Sequence, residues 1–322
     1  MTDSSLLADQ QRLLSIFHPH LMKMVEEVRE ADTRFVHYTT ADAAMNILRT
    51  GEVWLRKTSC MSDYMEVKHG LDCLVNAFRG EVGAQLIAAL NRLGDGVADE
   101  VVSLFDGWAP HLEHDTYIAC LSEHESAEDA HGRLSMWRAF SKSTGVALVL
   151  KNTPFLADDG PSGVYSSPVL YLDAELFETE MKRLVERIGA NENFLRIQSR
   201  EKVTNAVFNV FKLTALCIKH PGFIEEKEWR IIYVPQMERS PHVSQCVESV
   251  NGTPQPICKL LLKELTDCGT FGIEIPEILD RIIIGPTEFS YAIHEAFKTL
   301  LADAGVDNPT ERVHISGIPL RS

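Results

Sequence analysis

Apolar positions in the first thirty residues recur at helical spacing. Leu6, Leu13, Leu14, Phe17, Leu21, Met24, Val25 and Val28 predict one amphipathic helix over 5–31. The period then shortens, and Arg34–Tyr38 predicts a strand. Thr39 or Thr40 is placed to cap a helix carrying Ala44, Ile47 and Leu48, which Gly51 stops. Val53–Arg56 predicts a second strand, and residues 64–106 a mainly helical stretch broken at Gly80, Gly94 and Gly96. Strands follow over Thr116–Ser122, Gly145–Leu150 and Gly163–Leu172, with a short helix over Leu134–Phe140. Residues 174–220 return to helical periodicity. Glu228–Val234 predicts a strand with Trp229, Ile231 and Tyr233 on one face. Pro235, Pro241, Pro254 and Pro256 predict a loop or irregular hairpin across 235–256. A strand over Arg281–Ile284, a helix over Phe289–Ala304 and a strand over Arg312–Ser316 end the pattern.

This alternation predicts an α+β (mixed α/β) protein, with a central mixed or antiparallel sheet flanked by helices. The expected organisation is an N-terminal helical extension over 1–32 and a single α/β domain over 33–322, carrying a helical insertion at about 64–112. With 45% hydrophobic and 24% charged residues, the 322-residue chain has the composition of a globular protein. No apolar run reaches the ~18–20 residues of a spanning helix, and no basic segment precedes an apolar one at the start. Neither a membrane partner nor secretion is therefore expected, and the setting is cytoplasmic. Seven cysteines (60, 73, 120, 217, 246, 258 and 268) include no Cys-x-x-Cys pair and are read as reduced, buried thiols.

Charge narrows the choice of partner. Thirty-one Lys and Arg against 46 Asp and Glu give a net charge of −15, which argues against strong duplex-DNA binding. Residues 95–130 hold ten acids and no Lys or Arg, a solvated acidic face, whereas 181–230 hold ten basic residues and six Glu. That local excess of +4 is compatible with a small anionic ligand or a short RNA segment.

Phosphate-loop, dinucleotide-fingerprint and nucleophile-elbow motifs are absent. His18 with His20, and His111 with His114, each offer two imidazoles without a third ligand at helical spacing, so no metal is expected. Two segments carry chemistry. In Phe35-Val-His37-Tyr38-Thr39-Thr40, an imidazole and a phenol at a strand end can bond ribose hydroxyls and stack on a flat ring. The alternative is a buried His and a core Tyr meeting backbone partners. In Lys219 to Arg230, strand alternation places Glu226, Glu228 and Arg230 on one face. Two neighbouring carboxylates beside a guanidinium can offer one to a developing positive charge and the other as a base. The alternative is an edge-strand ion ladder worth ~0–1 kcal/mol per pair.

In order along the chain, these marks resemble a bacterial family known as domain of unknown function 2971, from about residue 34 to the C-terminus. The series is His37-Tyr38, Asp63 with Glu66, Cys120 and Ser122, Met136-Trp137 ahead of Gly145, and Lys219 with Glu226-x-Glu228-x-Arg230. Ile284-Gly285-Pro286 and Ser316-x-Ile318-Pro319-x-Arg321 complete it. Ser62, Phe140 and Phe223 depart from the family pattern, which has Asn, Tyr and Trp there. The resemblance implies a bacterial α/β protein, in stress response or antiphage defence, without supplying a reaction.

The early His-Tyr-Thr with the late Glu-x-Glu also resembles the His-Tyr-Glu type of ADP-ribosyltransferase. That resemblance implies NAD as substrate, with His37 on a ribose and Tyr38, Thr39, Ser122, Lys219 and Arg230 lining the site. It implies an aromatic from Trp54, Tyr64 or Trp137 on the nicotinamide, Glu228 steadying the oxocarbenium ion, and Glu226 orienting an RNA or protein acceptor. Two other readings use the same residues: a metal-free phosphodiester enzyme built on Lys219, Glu226, Glu228 and Arg230, and a non-enzymatic sensor of a small nucleotide. The transferase reading expects His37 and the Glu226/Glu228 pair to face one cleft.

Overall fold

A computed structural model describes residues 3–61, 64–140, 144–156, 163–264 and 272–319, with side chains described from Leu7 and, after the first gap, from Val67. Ser62, Asp63, Cys268, Arg321 and the side chains of Tyr64 and Glu66 lie outside the described residues. The elements begin with α1 (Asp3–Phe17), α2 (Pro19–Glu30), β1 (Arg34–Thr40), α3 (Ala41–Thr50) and β2 (Glu52–Lys57). Then come α4 (Tyr64–Arg79), α5 (Glu81–Leu93), α6 (Val97–His114), β3 (Tyr117–His124), α7 (Leu134–Phe140) and β4 (Gly145–Leu150). The middle of the chain forms β5 (Val164–Pro168), β6 (Leu170–Tyr171), α8 (Ala174–Ala190), α9 (Glu192–Ile197), α10 (Arg200–Cys217) and β7 (Ile218–Lys219). The last third forms β8 (Glu228–Tyr233), β9 (Val243–Val250), β10 (Thr253–Leu261), α11 (Ile275–Ile278), β11 (Leu279–Ile284), α12 (Ser290–Asp303) and β12 (Val313–Ile315).

The architecture is α+β, and packing divides it into two compact units. The first unit comprises Met1–Glu26, Thr58–Thr116 and Pro168–Ile224. Among the described residues it is helical apart from the parallel pair β6–β7. Its interior is aromatic and aliphatic, with Phe211 meeting Phe78 and Phe105 edge-on at 6.0 and 5.5 Å between ring centroids. Gly70 lets α4 lie directly on α10: a Cβ there would sit 2.4 Å from the Thr214 carbonyl oxygen.

The second unit comprises Glu27–Lys57, Tyr117–Ser167 and Glu225–Ser322, and holds ten strands of one sheet among the described residues. The order β12-β11-β4-β1-β3 is antiparallel except for the parallel pair β11–β12. At β3 the sheet forks. One edge of β3 carries β8, with Ser122 opposite Glu228 and Cys120 opposite Arg230. The other edge is shared, Val36 of β1 standing opposite Ser122 and Arg56 of β2 opposite Ile118. Beyond β2 lie β10 and then β9.

Local chemistry explains where the elements begin and end. The Thr40 hydroxyl accepts the Ala43 N–H at 3.3 Å to start α3, and Gly51, at φ 64°, ends it with its N–H on the Ile47 carbonyl. The helix expected over 5–31 is two, because Pro19 has no N–H for an internal helical bond and is tolerated only at the first position of α2. The strand expected over Gly163–Leu172 is also two, β5 pairing with β8 and β6 with β7. The stretch 235–256 is largely ordered. Asn251 and Gly252, at φ 52° and 82°, make the tight turn joining β9 to β10. Even-numbered residues of β10 aim their backbone towards β2, as the Leu262 N–H to Gly51 carbonyl bond shows. Pro254 and Pro256 have no N–H to give on that side, and β2 pairing begins at Ile257.

Candidate functional site

Residues paired across strands project to the same face, so the register assigns every side chain around the fork. Tyr38 of β1, Trp54 and Arg56 of β2, Cys120 and Ser122 of β3, Glu228 and Arg230 of β8, and Lys259 of β10 share one face. Phe35, His37, Leu121 and Trp229 occupy the other, where the Phe35 and Trp229 rings meet at 4.8 Å.

Glu228 and Arg230 form the centre of the first face. Arg230 Nε donates to Glu228 Oε1 at 2.7 Å, and both side chains are buried, at 4% and 1% exposure. Ser122 is buried directly opposite Glu228. Two charges removed from water carry a desolvation cost of several kcal/mol each, which only close pairing offsets. Trp229, between them in sequence, points away and donates its indole N–H to Glu123 at 2.9 Å.

Glu226 is not on this strand. It ends the 3₁₀ turn Pro221–Glu226, and Lys227, at φ 44°, reverses the backbone before β8 begins at Glu228. The alternation expected to align Glu226 with Glu228 therefore does not reach it, and Glu226 is half-buried. Lys219, in the first unit, is buried with its Nζ 4.9 Å from the Phe223 ring centroid.

His37 stands on the opposite face from Glu228. Its Nδ1 lies 2.9 Å from the Cys120 carbonyl oxygen, in the gap where β1 and β2 separate, and donates its proton there. Burial pulls the His37 pKa below its usual value, the backbone bond opposing it, so the ring is neutral. Tyr38 is a core group. Its hydroxyl accepts the Arg133 N–H at 2.8 Å, its ring meets Trp137 edge-on at 4.8 Å, and burial pushes its pKa up to about 12. Trp137 is buried, with its indole N–H on the His131 carbonyl at 2.7 Å. Thr39 is half-buried and, next along β1, points to the His37 face. The geometry thus joins Ser122, Glu228 and Arg230, adds Tyr38 to their face, and separates His37 from them.

Several residues on this face had no motif to announce them. Trp54 and Arg56 are half-buried on β2, with Arg56 Nη2 donating to Gln255 at 3.1 Å. Lys259 Nζ sits 5.4 Å from the centre of the Trp54 ring and donates to Glu248 at 2.6 Å. The period-two pattern Trp54-x-Arg56, in a strand where alternate positions are ordinarily apolar, is the signal that could have singled them out. Arg133 was also missed. It clamps Glu128 at 2.8 and 3.1 Å and bonds the Glu123, Glu225 and Glu226 carbonyls, holding the turn before β8 against β3. Among the described residues, no group of three or more His, Cys, Asp or Glu is placed to hold a metal ion. No helix among them is long and apolar enough to cross a membrane.

A family model described as a protein of unknown function (DUF2971) matches residues 136–231. This stretch begins in α7 and ends within β8, taking in Trp137, Lys219, Glu226, Glu228 and Arg230, and is shorter than the resemblance from residue 34 implies. No curated protein and no solved structure matches the chain.

Proposed function

We propose that the protein binds a small nucleotide on the polar side of its sheet. The observation that carries this reading is the lane of adjacent side chains across four strands: Glu228 and Arg230, Ser122, Trp54 and Arg56, and Lys259. Each type matches one part of a nucleotide. A carboxylate and a hydroxyl bond sugar hydroxyls, guanidinium groups grip phosphate oxygens in pairs, and an indole stacks on a flat ring. The half-buried Trp54, Arg56 and Lys259 meet the ligand first, and the buried Glu228–Arg230 pair lies deeper.

NAD combines all these parts and is the first ligand to test. A carboxylate fixed in place before the reaction would stabilise positive charge on a ribose losing nicotinamide, giving Glu228 the role of electrostatic stabiliser. This reading does not need His37, which faces away.

The test is titration of the purified protein with NAD, ADP-ribose and ATP, followed by calorimetry and by melting temperature. Binding should weaken at least tenfold in Trp54→Ala and in Arg56→Gln, a loss of about 1.4 kcal/mol, with the ligand-free melting temperature little changed. Absence of binding by all three ligands at about 1 mM would remove the proposal. Nicotinamide release, abolished in Glu228→Gln, would make the protein an NAD-consuming enzyme; binding without release would make it a sensor.

A further inference from the structure

Among the described residues, the last strand on the β10 side of the sheet presents an open edge. Among the described residues β9 pairs only with β10. The Leu261 N–H bonds the His242 carbonyl, so even-numbered residues of the strand face β10. Val243, Gln245, Val247 and Ser249 therefore turn their backbone N–H and C=O groups outward, along a strand about 27 Å long. Such an edge is a template for another strand, and proteins ordinarily blunt it with Pro, Lys, a bulge or a short strand. None of these devices is present. Its residues, Val243-Ser-Gln-Cys-Val-Glu-Ser-Val250, include no Pro, Lys or Arg, and the register with β10 runs unbroken from Val250 to Val243. Both prolines of the hairpin are on β10 instead. Val247, at the middle of the edge, is 70% exposed.

We infer that a second copy of this chain pairs antiparallel with β9 about a two-fold axis normal to the sheet, continuing it from one protomer into the next. Such an axis keeps each face on its own side, so paired residues must share parity, and outward-facing residues must meet each other. Centring the axis on Val247 satisfies both conditions: Val247 meets Val247, Gln245 meets Ser249, Ser244 meets Val250 and Cys246 meets Glu248. No like charges oppose one another, because Glu248, the one ionisable carboxylate of the strand, faces Cys246 and is held by Lys259 at 2.6 Å. That the strand meets its own reverse with outward backbone groups facing each other and no like charges opposed is what points to a second copy.

The inference is tested by sedimentation equilibrium of the full chain between about 1 and 100 µM, a range that brackets the affinities of modest interfaces. A dimer is expected. Val247→Pro, which removes a central outward N–H, and Val247→Lys, which sets two positive charges face to face, should each raise the dimer dissociation constant at least tenfold. The far-ultraviolet circular dichroism should be unchanged; if the proline variant unfolds, the lysine variant decides. A wild-type monomer throughout the range, or a dimer that folded Val247→Lys does not weaken, overturns the inference.

Discussion

One sheet face of the second unit has two halves of opposite chemistry. Around β1, β4 and β11 it carries Val36, Tyr38, Ala147, Val149 and Ile283, roofed by Met136 and Trp137 of α7 and edged by Ile318. Around β8, β3, β2 and β10 it carries Glu228, Arg230, Ser122, Trp54, Arg56 and Lys259. Both halves obey the same alternation, so secondary structure does not distinguish them. The apolar half is stabilised by removal of hydrocarbon from water, about 25 cal/mol per Å². The polar half gains little from burial and bears a desolvation cost that pairing must offset. The lesson is that the first half is held by burial, whereas the second holds charged groups that burial alone disfavours and that pairing must offset.

Breaking the apolar half should have the largest effect. Trp137→Ala empties a site where the ring already touches the backbone of Gly132 and Gly285, at which an added Cβ would come within 2.8 Å. A loss of about 3–5 kcal/mol is expected in urea denaturation. A loss below about 1 kcal/mol would show that α7 is not the roof its burial implies.

The polar half should respond differently to one substitution than to two. Glu228→Gln removes the carboxylate that accepts from the buried Arg230 Nε and should cost about 3 kcal/mol in the same measurement. The double variant Glu228→Leu with Arg230→Met removes both charges and should be more stable than the single one, while the proposed nucleotide binding should be lost. If the double variant is as unstable as the single one, the pair belongs to the scaffold and the two halves do not differ in purpose.

The smallest effect concerns buried histidines, of which His37 alone lies on the sheet face that neither half uses. Burial lowers the pKa values of His37 and His124, and brings that of His18, in the first unit, down to about 4, the last also under the influence of Lys212 and Arg187. A histidine whose pKa is lower folded than unfolded leaves stability complete above the unfolded value of about 6.5. Below it the unfolded chain takes up protons first, so the melting temperature should fall steadily from pH 6.5 towards 4. His37→Gln should make this fall shallower without changing nucleotide affinity. A loss of affinity as large as that of Trp54→Ala would return His37 to the binding site and contradict the division between faces.

Much of the fold was legible because it rests on local rules. The Thr40 cap and the Gly51 stop delimit α3 as expected, and α7 and β4 occupy the ranges that their apolar periods predict. Errors arose where a local rule was interrupted. Pro19 divided one apparent helix, and the positive φ at Lys227 took Glu226 off the strand its spacing suggested. The candidate site was less legible. Glu228 and Arg230, two apart on a strand, could be paired from spacing, but Trp54, Arg56 and Lys259 come from distant segments with no motif of their own.

The chain's order of apolar and polar residues determined the kind and position of its elements, because periods of 2 and 3.6 are set by backbone geometry over a few residues. Only the tertiary structure decided which strands meet at β3 and in which register. Parity across those pairings put His37 on one face and Glu228 on the other, and shifting any strand by a single residue would have exchanged its two faces.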